Sequence, residues 1–100
     1  MKKLVTVLIT AGLLSLSSAG FAADVAAGKA KSAVCAGCHG ANGKSNNPLW
    51  PNLAGQKDAY IMKQLKAFRD GSRKDPTMSP MAKPLSDADI ENLAAYFSSL

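Results

Sequence analysis

Both cysteines and the single histidine of this 100-residue chain fall within five positions, Cys35-Ala36-Gly37-Cys38-His39. Two thiols with two residues between them sit on one helical turn. They can add across the two vinyl groups of haem as thioethers on one porphyrin edge. His39 then falls beneath the iron and supplies the proximal nitrogen, so Cys-x-x-Cys-His is an attachment signature for c-type haem. Small Ala36 and Gly37 keep the turn clear of the macrocycle. Zinc fits less well: a structural site asks for about four N or S ligands, and adjacent Cys38 and His39 suit a tetrahedron poorly. A thioredoxin-like pair needs a βαβ context, and no alternating β-pattern is visible. A disulfide across two residues closes too small a loop to stabilise much. The expected cofactor is therefore one covalent haem c, its iron held by His39.

A sixth ligand is sought among the methionines. Ser72 to Leu85 carries Pro76, Pro80 and Pro84 at intervals of four, so no helix is expected to run through it. Met78 lies between Thr77 and Ser79, a polar setting for a methionine, and a thioether is a good soft ligand for haem iron. Met81 shares the loop and is the alternative. Met62 reads as a packing residue on a helix.

These groups must be positioned by a small helical frame. Asp24 to Cys38 is rich in helix formers, and Gly28 within it suggests close approach of another helix or a tolerated glycine. Gly40 to Gln56 is full of Gly, Asn and Pro and reads as a functional loop that wraps the haem edge. Trp50 in that loop has an indole N–H suited to a haem propionate, or is simply a buried aromatic. Lys57 to Asp70 is amphipathic, with Ile61, Leu65 and Phe68 on one stripe and Gly71 as C-cap. Ser86 to Asp89 reads as a capping box, followed by Ile90, Leu93, Ala94 and Phe97 on one stripe with Leu100 alongside. The class is all-α: three main helices and two long loops around one haem.

The first residues have the layout of a secretory leader: Lys2 and Lys3, an apolar run from Leu4 to Leu16, then small residues. Gly20 and Ala22 form the best small pair for cleavage after Ala22. A cut after Ala23 would put bulky Phe21 three residues before it. The apolar run is about 13 residues, short of the roughly 20 of a spanning anchor. Residues 1–22 are thus expected to be removed and 23–100 to form the domain, with no stable membrane insertion and a periplasmic destination. The remaining 78 residues are near the size at which an apolar core alone is marginal and a staple such as a cofactor is needed.

Lys2 and Lys3 leave with the leader, so the formal charge of +5 falls to +3. That weak excess, with Lys and Arg interleaved with Asp and Glu, argues against a nucleic-acid partner. It suits steering toward an acidic protein surface.

With these residues in view, the chain resembles the small bacterial class I cytochromes c, including single repeats of dihaem cytochromes. The resemblance rests on Cys35-Ala36-Gly37-Cys38-His39-Gly40, on Pro51-Asn52-Leu53-Ala54-Gly55-Gln56 and on Met78-Ser79-Pro80-Met81-Ala82. It implies that the Pro51 carbonyl accepts a hydrogen bond from His39, that Leu53 packs on the haem, and that Met78 is the axial ligand. It further implies a last helix, bearing Tyr96 and Phe97, that crosses the first near Gly28. One departure is Lys31, where the family often places an aromatic residue four positions before the first haem cysteine.

The function this implies is outer-sphere electron transfer, without enzymatic turnover. His39 and Met78 together would leave no open position on the iron for oxygen or peroxide chemistry. Partners would be redox proteins met in small, transient contacts at a haem edge ringed by Lys44, Lys57, Lys74 and Lys83, and the carrier itself a monomer. The alternative is a haem-bearing subunit held permanently in a larger oxidoreductase.

Overall fold

The computed structural model describes residues 2–6 and 22–100. Most of the proposed leader, including Gly20, lies outside the described residues. The described residues contain helices and no strand, in the order α1 (Val25–Lys31), a 3₁₀ turn (Ser32–Val34), α2 (Ala36–His39), α3 (Asp58–Asp70), α4 (Met78–Ala82) and α5 (Asp87–Ser98). None of these helices is long and apolar enough to cross a membrane.

The segment from Asp24 to Cys38 is not one helix, as its composition suggests, but three short pieces. Asp24 starts α1 by accepting the Ala27 N–H on its carboxylate at 3.0 Å. Ser32 stops it. Its hydroxyl donates to the Lys29 carbonyl at 2.6 Å, a local bond that competes with helix propagation. The chain tightens into the 3₁₀ turn and re-forms as α2, with Cys35 just before it and Cys38 within it.

The stripe on α3 is as the spacing predicts: Ile61 and Phe68 are buried and Leu65 packs beside them. Gly71 closes α3 in the left-handed region at φ 89°, and its N–H donates to the Ala67 carbonyl at 3.0 Å. Ser86 and Asp89 form the expected capping box, each side chain accepting the other's backbone N–H at 3.0 Å. Beyond it Ile90, Leu93, Ala94, Tyr96 and Phe97 are buried. Leu100 is not part of the stripe: it lies past the last turn and is exposed.

Helix α5 is the central element, packed against both α1 and α3. The approach to α1 is at Gly28, where a Cβ would collide with the Asn92 backbone carbonyl and lie 2.9 Å from the Tyr96 Cβ. Gly28 is therefore a contact residue. The crossing is further tied by the Asp24 N–H donating to Asn92 Oδ1 at 2.8 Å and by Lys31 Nζ 3.4 Å from Asp89 Oδ2. Lys31 thus joins α1 to the cap of α5 by charge, where an aromatic would do so by packing. On the other side Arg69 links α3 to the start of α5, donating to Asp87 Oδ1 at 2.8 Å and to the Leu85 carbonyl at 3.2 Å. Fully burying Ile90 and Leu93 contributes about 1.5–3 kcal/mol each.

The proline-rich segment also differs from expectation. A single short helix, α4, forms between Pro76 and Pro84. Pro80 is its third residue, within the first turn, where a missing N–H costs no helical bond. Ala82 at 0 % exposure and Leu85 at 8 % seat this segment in the core.

Candidate functional site

Helix α2 and the residue before it gather three of the chemically suited residues. Cys35 precedes α2 and Cys38 lies within it; both thiols are half-buried and neither is in a disulfide. Cys35 packs against the core cluster. Its burial pushes the thiol pKa up, so it stays protonated at neutral pH, unlike a reactive redox thiolate. His39 is the one buried polar side chain among the described residues, at 7 % exposure. No three His, Cys, Asp or Glu side chains converge as a metal-binding group among the described residues, so the two cysteines and His39 do not form a zinc-type cage.

His39 is oriented from the loop. Its Nδ1 lies 2.8 Å from the Pro51 carbonyl oxygen. A carbonyl only accepts, so Nδ1 carries a proton, and in the neutral ring it is Nε2 that has the lone pair. The loop that holds Pro51 is well bonded. The Gly43 carbonyl accepts the N–H groups of Leu53 at 2.7 Å and Ala54 at 2.9 Å. Gly43 has φ 69°, and a Cβ there would lie 2.8 Å from the Ala54 nitrogen, so no other residue fits comfortably. Asn52 accepts the Ser45 N–H at 2.7 Å, and Asn47 accepts the Leu49 N–H at 2.9 Å. Leu53 is half-buried against the core. Trp50 remains 40 % exposed and does not enter the core.

The two loop methionines have different surroundings. Met78 opens α4, is half-buried and packs against the same core cluster as Cys35. Met81 is 41 % exposed. Met62 is half-buried against the core, as a packing residue should be. The Met78 N–H donates to Asp75 Oδ1 at 2.8 Å and the Thr77 N–H to the same oxygen at 2.9 Å. These bonds, that from Met78 first, hold the Asp75 carboxyl below its usual range.

All four lysines singled out are exposed. Lys74 and Lys83 share a cavity of about 370 Å³ with Phe68, Arg69 and Ser79. Lys57 sits at the opposite end of α3, about 20 Å away by helix rise, so the four do not form one patch. Sequence reasoning took Gly43, Asn47 and Asn52 only as turn formers of the loop and passed over Asp75. The signal for Asp75 was present: an Asp before Pro commonly accepts the N–H groups that follow it.

A set of two unpaired thiols on one turn, followed by an imidazole whose distal nitrogen is kept free, fits a covalently attached haem. The fold and this motif define a small helical haem protein. Residues 25–100 match the cytochrome c family, and the chain belongs to it. The cofactor of such a domain is covalently bound haem c. The chain is similar to cytochrome c4 of Pseudomonas aeruginosa, 48 % identical over 98 residues, covering 98 % of this chain and 48 % of that protein. It is similar to cytochrome c-554(548) of Halomonas halodenitrificans, 48 % identical over 81 residues, covering 78 % of this chain and 98 % of that one. Reduced recombinant cytochrome c4 from Pseudomonas stutzeri aligns in structure with TM-score 0.74 and 47 % identity, over 78 % of this chain and 46 % of that one. The chain thus spans about half the length of the cytochrome c4 relatives it matches.

Proposed function

We propose that this chain is an exported carrier of single electrons. Cys35 and Cys38 would hold haem c through thioethers, His39 Nε2 and the Met78 sulfur would bind its iron, and Leu53 would line the pocket. When bound, the haem supplies an iron that cycles between Fe(II) and Fe(III). The protein's own residues do the rest. The Pro51 carbonyl accepts a hydrogen bond from His39 Nδ1–H, which fixes the tautomer, orients the ring and raises its basicity at Nε2. Met78, half-buried on the core, is favoured over exposed Met81 because a ligand must be held away from competing water. With His39 and Met78 both on the iron, no position would be left open, and the chemistry would be outer-sphere transfer without bond making.

The observation that carries this reading is the 2.8 Å bond from His39 Nδ1 to the Pro51 carbonyl. Exposed Lys74 and Lys83 offer a cationic approach for an acidic redox partner in a small, transient contact, with Lys44 and Lys57 elsewhere on the surface. Export rests on the leader of residues 1–22 with cleavage after Ala22. Absorption spectroscopy tests the assignment. The reduced exported protein is expected to show sharp bands that survive acid–acetone extraction; their absence removes the proposal. A free monomeric carrier elutes alone from size-exclusion chromatography of native extract, and co-elution with a larger oxidoreductase would replace the carrier by a subunit.

A further inference from the structure

We propose that Asp75 and Ser79 form a clamp that positions the Met78 thioether and so determines how firmly it stays on the iron. The proposal rests on Met78 being an axial ligand. The two side chains grip one turn of chain from both ends. Asp75 Oδ1 accepts the N–H groups of Thr77 at 2.9 Å and Met78 at 2.8 Å. The Asp75 N–H donates back to Ser79 Oγ at 3.0 Å, and the Ser79 N–H donates to the Asp75 carbonyl at 3.0 Å. Met78 lies inside this closed set of bonds, and the flanking Pro76 and Pro80 each have φ fixed by their rings.

The clamp is itself anchored on both sides. Upstream, the Arg73 N–H donates to the Ala67 carbonyl of α3 at 3.1 Å, its guanidinium stacks 4.4 Å over the Phe68 ring, and it donates to Gln64 Oε1 at 2.7 Å. Downstream, Ala82 and Leu85 are buried in the core. Asp75 and Ser79 bind main chain, not sulfur, so they are positioning residues. A neutral thioether is a soft ligand, and on the harder ferric iron it competes with added nitrogen ligands. Pre-setting its backbone is what reduces the entropy cost of keeping it in place.

The test uses ferric holoprotein and imidazole as the competing ligand, with the sulfur-to-iron charge-transfer band and the reduction potential recorded alongside. Asp75→Ala is expected to raise imidazole affinity about tenfold, the scale of a lost N-cap, and to lower the potential. Asp75→Asn keeps an Oδ1 acceptor and is expected to stay within about twofold of the wild type. Ser79→Ala loses the bond from the Asp75 N–H and the long 3.5 Å bond to the Arg73 carbonyl, leaves both N–H bonds to Asp75 Oδ1 in place, and should show a smaller rise in the same direction. Wild-type imidazole affinity in Asp75→Ala overturns the clamp, as does equal damage in Asp75→Asn. Should Asp75→Ala fail to fold, Ser79→Ala decides: raised affinity supports the clamp, and unchanged affinity overturns it. Failure of the ligand reading itself is separately visible, because Met78→Ala would then leave the charge-transfer band intact.

Discussion

The tautomer of His39 is set by an atom twelve residues away. The Pro51 carbonyl has no proton to give, so the 2.8 Å contact places an imidazole proton on Nδ1 and leaves Nε2 as the nitrogen proposed to bind iron. A main-chain acceptor cannot be removed by side-chain substitution, but it can be moved. Gly43 holds the loop against Leu53 and Ala54 at a positive φ. Gly43→Ala is expected to shift the Pro51 carbonyl and lower the reduction potential while haem attachment persists; potentiometric titration measures it. The methionines divide at this same scale. Met78→Ala should abolish the sulfur-to-iron band and lower the potential. Met81→Ala, at a side chain 41 % exposed, should leave both unchanged. The reverse pattern would exchange the two assignments.

Among the elements, α5 organises the rest, and its two partners are joined to it by different forces. At the α1 crossing backbone meets backbone across Gly28. Gly28→Ala forces the helices apart and is expected to cost about 1–3 kcal/mol in denaturant unfolding, the range of core overpacking. The cap of α5 adds a pH dependence. Asp89 is held below the ordinary carboxylate range, chiefly by accepting the Ser86 N–H and also by the Ser86 hydroxyl and Lys31. A carboxylate with a depressed folded pKa stabilises the fold above its unfolded pKa, about 3.9, and that stabilisation is lost as pH falls through the folded value. Stability should therefore decline below about pH 4, and Asp89→Asn should flatten that decline in pH-dependent thermal unfolding. Ser86→Ala removes the other half of the box at about 1 kcal/mol.

How much was legible in the sequence differs along the chain for the same physical reason. The α3 stripe, the Gly71 cap and the Ser86–Asp89 box depend on neighbours within a turn or two, and each is readable from spacing alone. The break of the first helix depends on a choice by one hydroxyl: Ser32 bonds to the Lys29 carbonyl instead of facing water, and propensity does not encode that. Helix α4 was hidden because three prolines looked like an uninterrupted barrier, whereas Pro80 falls in the one turn that tolerates it. The Cys-x-x-Cys-His set was plain because its geometry is local. The Asp75-Pro76 pair marked the acceptance of the N–H groups that follow, but the closing bonds to Ser79 were not legible, because they depend on the turn into α4, whose end is seated in the core by Ala82 and Leu85.

For the whole molecule, size is the governing quantity. Among the described residues the apolar core consists of nine buried side chains, of which only Ile90 and Leu93 are both large and fully enclosed. A core of that extent gives marginal stability by itself. The haem is then as much a part of the fold as α5. Preparing the protein without haem should leave it largely unfolded, or lower its denaturation midpoint sharply, as circular dichroism in guanidinium would record. Surface ion pairs will not compensate, since exposed pairs are worth about 0–1 kcal/mol.

The most direct test is the intact mass of the exported protein, made in a host that attaches haem. The expected species is the chain from Ala23 plus one haem, with Cys35→Ser/Cys38→Ser carrying none. A wild-type product with the mass of the bare polypeptide would contradict the assignment of Cys35 and Cys38 as the points of attachment.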